Sequence, residues 1–188
     1  MLRRMSPKIY TRTGDDGTTG LFLGGRVSKA DALVDAGGDV DEAVAVLGVA
    51  RAACGDRSLA EEVLRLQREL FVVGADLATH PERRHHLTDG VSRVTDDMVT
   101  RLEALIDALV VERPLRPVFV VPGATASGAA LDHARTVVRR AERHAVGARA
   151  AGHAVSAVAL TYLNRASDLL FVLARRAAGE VDEPPSHL

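Results

Sequence analysis

"AVALTYLNRASDLLFVLARRAA", residues 157–178, decides the fold. It is long enough for about six helical turns and is apolar on nearly every face. A helix of that kind sits at the centre of a bundle or against another subunit. It also holds a polar insert, "YLNRASD", in which Asn164 and Asp168 share a face and Arg165 lies beside them. Burying those groups without partners would cost a few kcal/mol. Two readings follow: a satisfied polar cluster, or a ligand contact.

Working outward, the chain is helix after helix. "GAALDHARTVVRRAERHAV" precedes the central helix across a Gly/Ala-rich link, "GARAAGHAVS". "TDDMVTRLEALIDALVVE" carries Met98, Leu102, Leu105 and Leu109 in register behind a Thr95 cap, and Pro114 and Pro117 stop it. "SLAEEVLRLQRELFVVGADLA" opens on Ser58 with Glu61 three residues on, a capping-box pattern, and aligns Val63, Leu66, Leu70 and Leu77. "DVDEAVAVLGVARAAC" is the first helix, with acidic residues at its start. The expected architecture is all-α: one domain over 1–188, with a loop over 1–36, a five-helix bundle over 39–178 and a frayed polar tail over 179–188.

Composition narrows the function. Net charge is −1 and aromatics are 3%, which favours neither nucleic acid nor an acidic membrane as partner. The single cysteine, Cys54, rules out an internal disulfide and suits a reducing cytosol. "MLRRMSPK" has no apolar stretch behind its arginines, so no signal peptide is expected, and no unbroken apolar run of membrane length occurs.

Two further places resist a plain bundle. "YTRTGDDGTTGLFLGGR", residues 10–26, offers Thr11, Arg12, Thr13, Gly14, Asp15, Gly17, Thr18 and Thr19, with Lys29 just beyond. Hydroxyls, backbone N–H groups and glycines suit an anion, and Asp15 or Asp16 suits Mg²⁺. The stretch lacks the Gly-Lys-Ser/Thr ending of a P-loop, and a flexible polar terminus is the competing reading. In the fourth helix Asp132, Arg135, Arg139 and Glu142 share a face. They form either a solvated ion-pair ladder or a grip on phosphates or on Asp41 or Glu42. The histidines at 80, 85 and 86 read as exposed loop residues.

Together these stretches resemble the PduO-type ATP:cob(I)alamin adenosyltransferases. The resemblance rests on "KIYTRTGDDGTTGL", "GRVSKAD", "VDE", "LQRELFVVGADLAT", "RLEALID", "FVVPG", "ARTVVRRAER" and "YLNRASDLLFVLAR", spanning Lys8 to Arg175. It implies a homotrimer with sites between subunits, and transfer of the 5′-deoxyadenosyl group of ATP to cob(I)alamin with release of tripolyphosphate. It implies that Thr11, Arg12, Thr13, Gly14, Asp15, Gly17 and Thr18 wrap the triphosphate, with Mg²⁺ carried mainly by the phosphates. Lys29, Arg135, Arg139, Arg140, Glu142 and Asn164 match ATP contacts. Asp41 matches an acidic partner of Arg135. Phe119 matches the residue that keeps the lower axial ligand off cobalt. A reductase and an adenosylcobalamin-dependent enzyme are implied as partners in the cytoplasm. The departures are Gly37, Asp39, Val44 and Ala124, with Asp132 where a histidine is common. They motivate an alternative, a non-catalytic carrier or sensor of ATP or adenosylcobalamin.

Overall fold

The computed structural model describes residues 9–179, 181 and 183–187. Arg3, Arg4 and Lys8 at the start, and Glu180, Asp182 and Leu188 in the tail, lie outside the described residues. The order is β1 (Thr18–Gly20), β2 (Arg26–Ser28), α1 (Ala32–Ala53), α2 (Arg57–Leu77), a 3₁₀ turn (Pro81–His86), α3 (Asp96–Glu112), α4 (Ala126–Ala150) and α5 (Ala157–Ala178). α1, α2, α5 and α4 form a ring of neighbours, and α3 packs on the outside of α5.

The most extensive helix pair is α1 with α4. Its seam is Leu33, Ala36, Val40, Ala43, Leu47 and Ala50 against Leu131, Ala134, Val138, Ala141, Ala145 and Ala148, all buried. Steps alternate between three and four residues on both helices, the spacing of a coiled-coil seam. This pattern moves the start of the bundle to Ala32, not 39. Gly37 and Gly38 lie inside α1 rather than ending a loop, because the apolar seam on both sides of them outweighs the cost of two helical glycines, about 1 kcal/mol each.

Two other boundaries shift, and one expected cap lacks its side-chain bond. α2 is capped by Asp56, whose carboxylate accepts from Ser58 N–H, so Ser58 is not the cap. Thr95 caps α3 by backbone position only. α4 runs on through the Gly/Ala link to Ala150, since its seam continues to Ala148. α5 is central as expected, with Tyr162, Leu163, Leu169, Leu170 and Leu173 fully buried. By length and composition it is long and apolar enough to cross a membrane, and its burial in the bundle accounts for that composition.

Buried polar groups tie the elements together. Tyr162 donates to Glu69 Oε2 at 2.7 Å, joining α5 to α2. Asp76 is fully buried; it accepts from Arg84 at 2.7 Å and from Val94 N–H at 2.9 Å. The tail is not frayed where it is described. Val121 N–H donates to Pro184 O, and Ser186 N–H to Phe119 O, both at 2.8 Å, while Glu183 is buried. The described tail is seated where the buried Glu183 carboxylate faces Arg175.

Candidate functional site

The opening loop is a built structure. β1 and β2 pair antiparallel, Thr18 opposite Ser28 and Gly20 opposite Arg26. Gly17 turns in the left-handed region at φ 82°, where a side chain would be strained, and its carbonyl accepts from Lys29 N–H at 2.9 Å. Asp16 Oδ1 accepts from both the backbone and the hydroxyl of Thr18, at 2.9 and 2.7 Å. Those bonds, the hydroxyl's first, hold the Asp16 carboxyl below its ordinary range. Arg26 completes the clasp through Thr18 Oγ1 at 3.0 Å and the Thr13 carbonyl.

Asp16 and the Thr18 hydroxyl are therefore engaged in shaping the loop, while Asp15, Arg12 and Lys29 stay exposed around it. Arg26 is a loop-organising residue that sequence reasoning missed; its only signal was its place opposite a Gly/Thr-rich strand. Among the described residues no three His, Cys, Asp or Glu side chains gather to hold a metal by themselves. Asp15 and the threonine hydroxyls are hard oxygen donors, which suit Mg²⁺ held mainly by phosphates.

The second half of the site is a cleft of about 610 Å³ between α3, α4, α5 and the 115–122 segment. Phe119, 84% exposed, stands on one wall, and Arg135 and Arg139 line another. Arg135 Nε lies 3.0 Å from Asp132 Oδ1, the neighbour expected from the helical spacing. This is not a solvated rung, because Asp132 is buried. The other expected rung does not form: Glu142 accepts from Asn164 Nδ2 at 3.1 Å instead of pairing with Arg139. Asn164 also accepts from Arg165 at 2.6 Å, and Arg165 reaches Glu103 at 2.8 Å. The polar insert of α5 is thus satisfied by α3 and α4.

Arg140 points elsewhere, to α1. Its Nε donates to Asp39 Oδ1 at 2.9 Å and its Nη2 meets Glu42. The hydrogen bond to Asp39 raises the Arg140 guanidinium above its ordinary value. Asp39 also lies 2.6 Å from His144 Nδ1. The extra carboxylate at position 39 is thereby tied to α4 within the subunit. Asp41 lines a separate cleft with Phe22, Val44 and Phe71, so its pairing with Arg135 is not made inside one chain.

Loop and cleft stand at opposite levels of the bundle. Asp31, at the loop's exit, lies 3.4 Å from His153, just past the end of α4. Arg135 is fifteen residues before Ala150, about 22 Å along the helix axis. Within one chain the loop and the arginine cleft are therefore separate.

A family model described as cobalamin adenosyltransferase matches residues 9–177. A corrinoid adenosyltransferase of Mycobacterium tuberculosis is 44% identical over 184 residues, covering 93% of this chain and 91% of that protein. One from Bacillus subtilis is 40% identical over 172 residues, covering 89% and 85%. A Phe-to-Ala variant of a PduO-type ATP:corrinoid adenosyltransferase from Lactobacillus reuteri, complexed with cobalamin and ATP, superposes with a TM-score of 0.86 at 30% identity, covering 96% of this chain and all of that one. With the matched model spanning both the loop and the arginine helix, the chain belongs to the cobalamin adenosyltransferase family.

Proposed function

We propose that this chain transfers the 5′-deoxyadenosyl group of ATP to cob(I)alamin and releases tripolyphosphate. Cob(I)alamin is a strong nucleophile and needs no side-chain base. A cobalt–carbon bond forms to the 5′-carbon as its bond to the triphosphate oxygen breaks. The observation that carries this reading is the cleft that sets the apolar Phe119 facing the same space as Arg135 and Arg139.

The chain's residues divide the work. The clasped loop, with Thr11, Arg12, Thr13, Gly14, Asp15, Gly17, Thr18 and Lys29, holds the triphosphate through backbone N–H groups and positive charge. Arg135 and Arg139 meet the charge that develops on the leaving phosphates. Glu142 and Asn164 hold the wall beside them through Arg165, and Arg140 ties α4 to α1. Phe119 excludes water and the nucleotide base from the lower face of the corrin, so cobalt loses its axial ligand and is more easily reduced. Mg²⁺, when bound, supplies further charge to the phosphates. Alignment of cobalt with the 5′-carbon is the remaining contribution, and the cofactor-like substrate carries the hard chemistry.

The two half-sites are joined between copies. The loop and Asp41 of one subunit meet the arginine cleft of the next in a homotrimer, and the exposed Phe71 beside Asp41's cleft is a surface such an assembly would cover. A cytoplasmic reductase supplies the electron, and an adenosylcobalamin-dependent enzyme takes the product. The test is anaerobic: protein, ATP, Mg²⁺ and chemically reduced cob(I)alamin, followed by visible spectroscopy against a protein-free control. Protein-dependent growth of a light-sensitive alkylcobalamin band with tripolyphosphate release is expected. Binding of ATP or adenosylcobalamin without turnover would replace the transferase with a carrier.

A further inference from the structure

Arg135 does not stand alone in its cleft. Behind it runs an unbroken line of buried charge. Asp132 takes Arg135 Nε on Oδ1 at 3.0 Å and Arg175 Nη2 on Oδ2. Arg175 in turn donates from Nη2 to Glu183 Oε1 at 3.1 Å, and its Nε lies 2.6 Å from Glu183 Oε2 as an ion pair. The side chains of Asp132, Arg175 and Glu183 are all at least nine-tenths buried. In such surroundings the loss of one partner is felt by the rest of the chain of charges.

Glu183 belongs to the C-terminal segment, and that segment does a second thing. Pro184 and Ser186 pair with Val121 and Phe119 through the backbone, with Val120 and Pro185 facing each other antiparallel. The same few residues thus hold both walls of the cleft, the Phe119 wall by backbone hydrogen bonds and the Arg135 wall by the charge line. Asp132 stands where the resemblance leads one to expect a histidine, and a neutral histidine could not bridge two guanidinium groups.

We propose that Asp132 and Arg175 are positioning residues, and that the 183–186 segment is a strap whose seating sets Arg135 for the leaving triphosphate. The proposal rests on the transferase reading for the role of Arg135. Asp132 and Arg175 border the cleft, whereas Glu183 does not, so Glu183 acts on Arg135 only through them.

The test is a double-mutant cycle on adenosylation, with Glu183→Gln, Arg135→Lys and both together, measuring kcat and KM for ATP. Glu183→Gln is expected to lower kcat/KM about fivefold, mainly through kcat, and to add no further loss in the Arg135→Lys background. A wild-type rate for Glu183→Gln overturns the strap. So does an equal loss in both backgrounds, which is what a general loosening of the fold would give. If Glu183→Gln does not fold, Glu183→Asp, which keeps the charge but withdraws it by one methylene, takes its place in the cycle. If the parent protein itself shows no turnover, the transferase reading fails separately, and the same cycle is read on ATP affinity by calorimetry.

Discussion

The ammonium of Lys29 lies 3.3 Å from the point a β-carbon on Gly14 would occupy, and the Thr18 carbonyl lies 3.1 Å from the same point. Gly14 therefore lets the strand exit fold back over the loop. Gly14→Ala is expected to displace Lys29 and weaken ATP binding about tenfold, about 1.4 kcal/mol, by calorimetry. The thermal midpoint should not change, because the loop lies outside the core. Unchanged affinity would remove Lys29 and Gly14 from the phosphate site.

Phe119 is exposed on the cleft wall and outside the core, so Phe119→Ala should fold and bind ATP as the parent does. Its adenosylation rate should fall by about tenfold or more, over 1.4 kcal/mol of barrier by the approximate conversion. The electron paramagnetic spectrum of bound cob(II)alamin should keep the splitting of an axial nitrogen. A spectrum free of that splitting in the variant would assign the displacement of the ligand to another residue.

Asp41 and Arg135 are set in different clefts of one chain. Asp41→Ala and Arg135→Ala proteins should each be inactive. Unfolded together and refolded, they should recover part of the parent activity if sites form between copies as proposed, since some mixed assemblies would then hold one site with both residues intact. No recovery would argue that each chain builds its own site.

Tyr162 is buried with its hydroxyl on Glu69, and burial first, then the Glu69 charge, raises its pKa well above the ordinary value near 10. Above that ordinary value the unfolded chain loses the proton while the folded one keeps it. Stability is therefore full below about pH 10 and falls as pH rises towards the folded pKa. Urea midpoints measured between pH 9 and about 11 should decline for the parent and decline less for Tyr162→Phe. Parallel slopes would mean that other groups govern the alkaline limb.

The helices were legible because each carries its own period, and the apolar α5 announced the centre of the bundle. The start of α1 was not, because two adjacent glycines look like a stop when read locally, and only the seam with α4 explains them. The site was legible as residue types, loop and arginines alike. Their partners were not. Asp132 was found for Arg135 because three residues is a helical step. The ladder alternative would have set Glu142 on Arg139, and that rung does not form, since sequence spacing says nothing of Asn164 across the bundle. Glu183 was invisible because a charged residue in a polar stretch, just ahead of two prolines, resembles solvated tail.

The alanine seam between α1 and α4 has one more consequence. An alanine side chain has no rotamers to lose on burial, and so none to use as slack afterwards. At the seam's seven alanine positions a shift cannot be absorbed by turning a side chain; that freedom is left to Leu33, Leu47 and Leu131. α4 therefore has little slack against α1, and carries Arg135, held by Asp132, and Arg140, held by Asp39, on one closely packed helix.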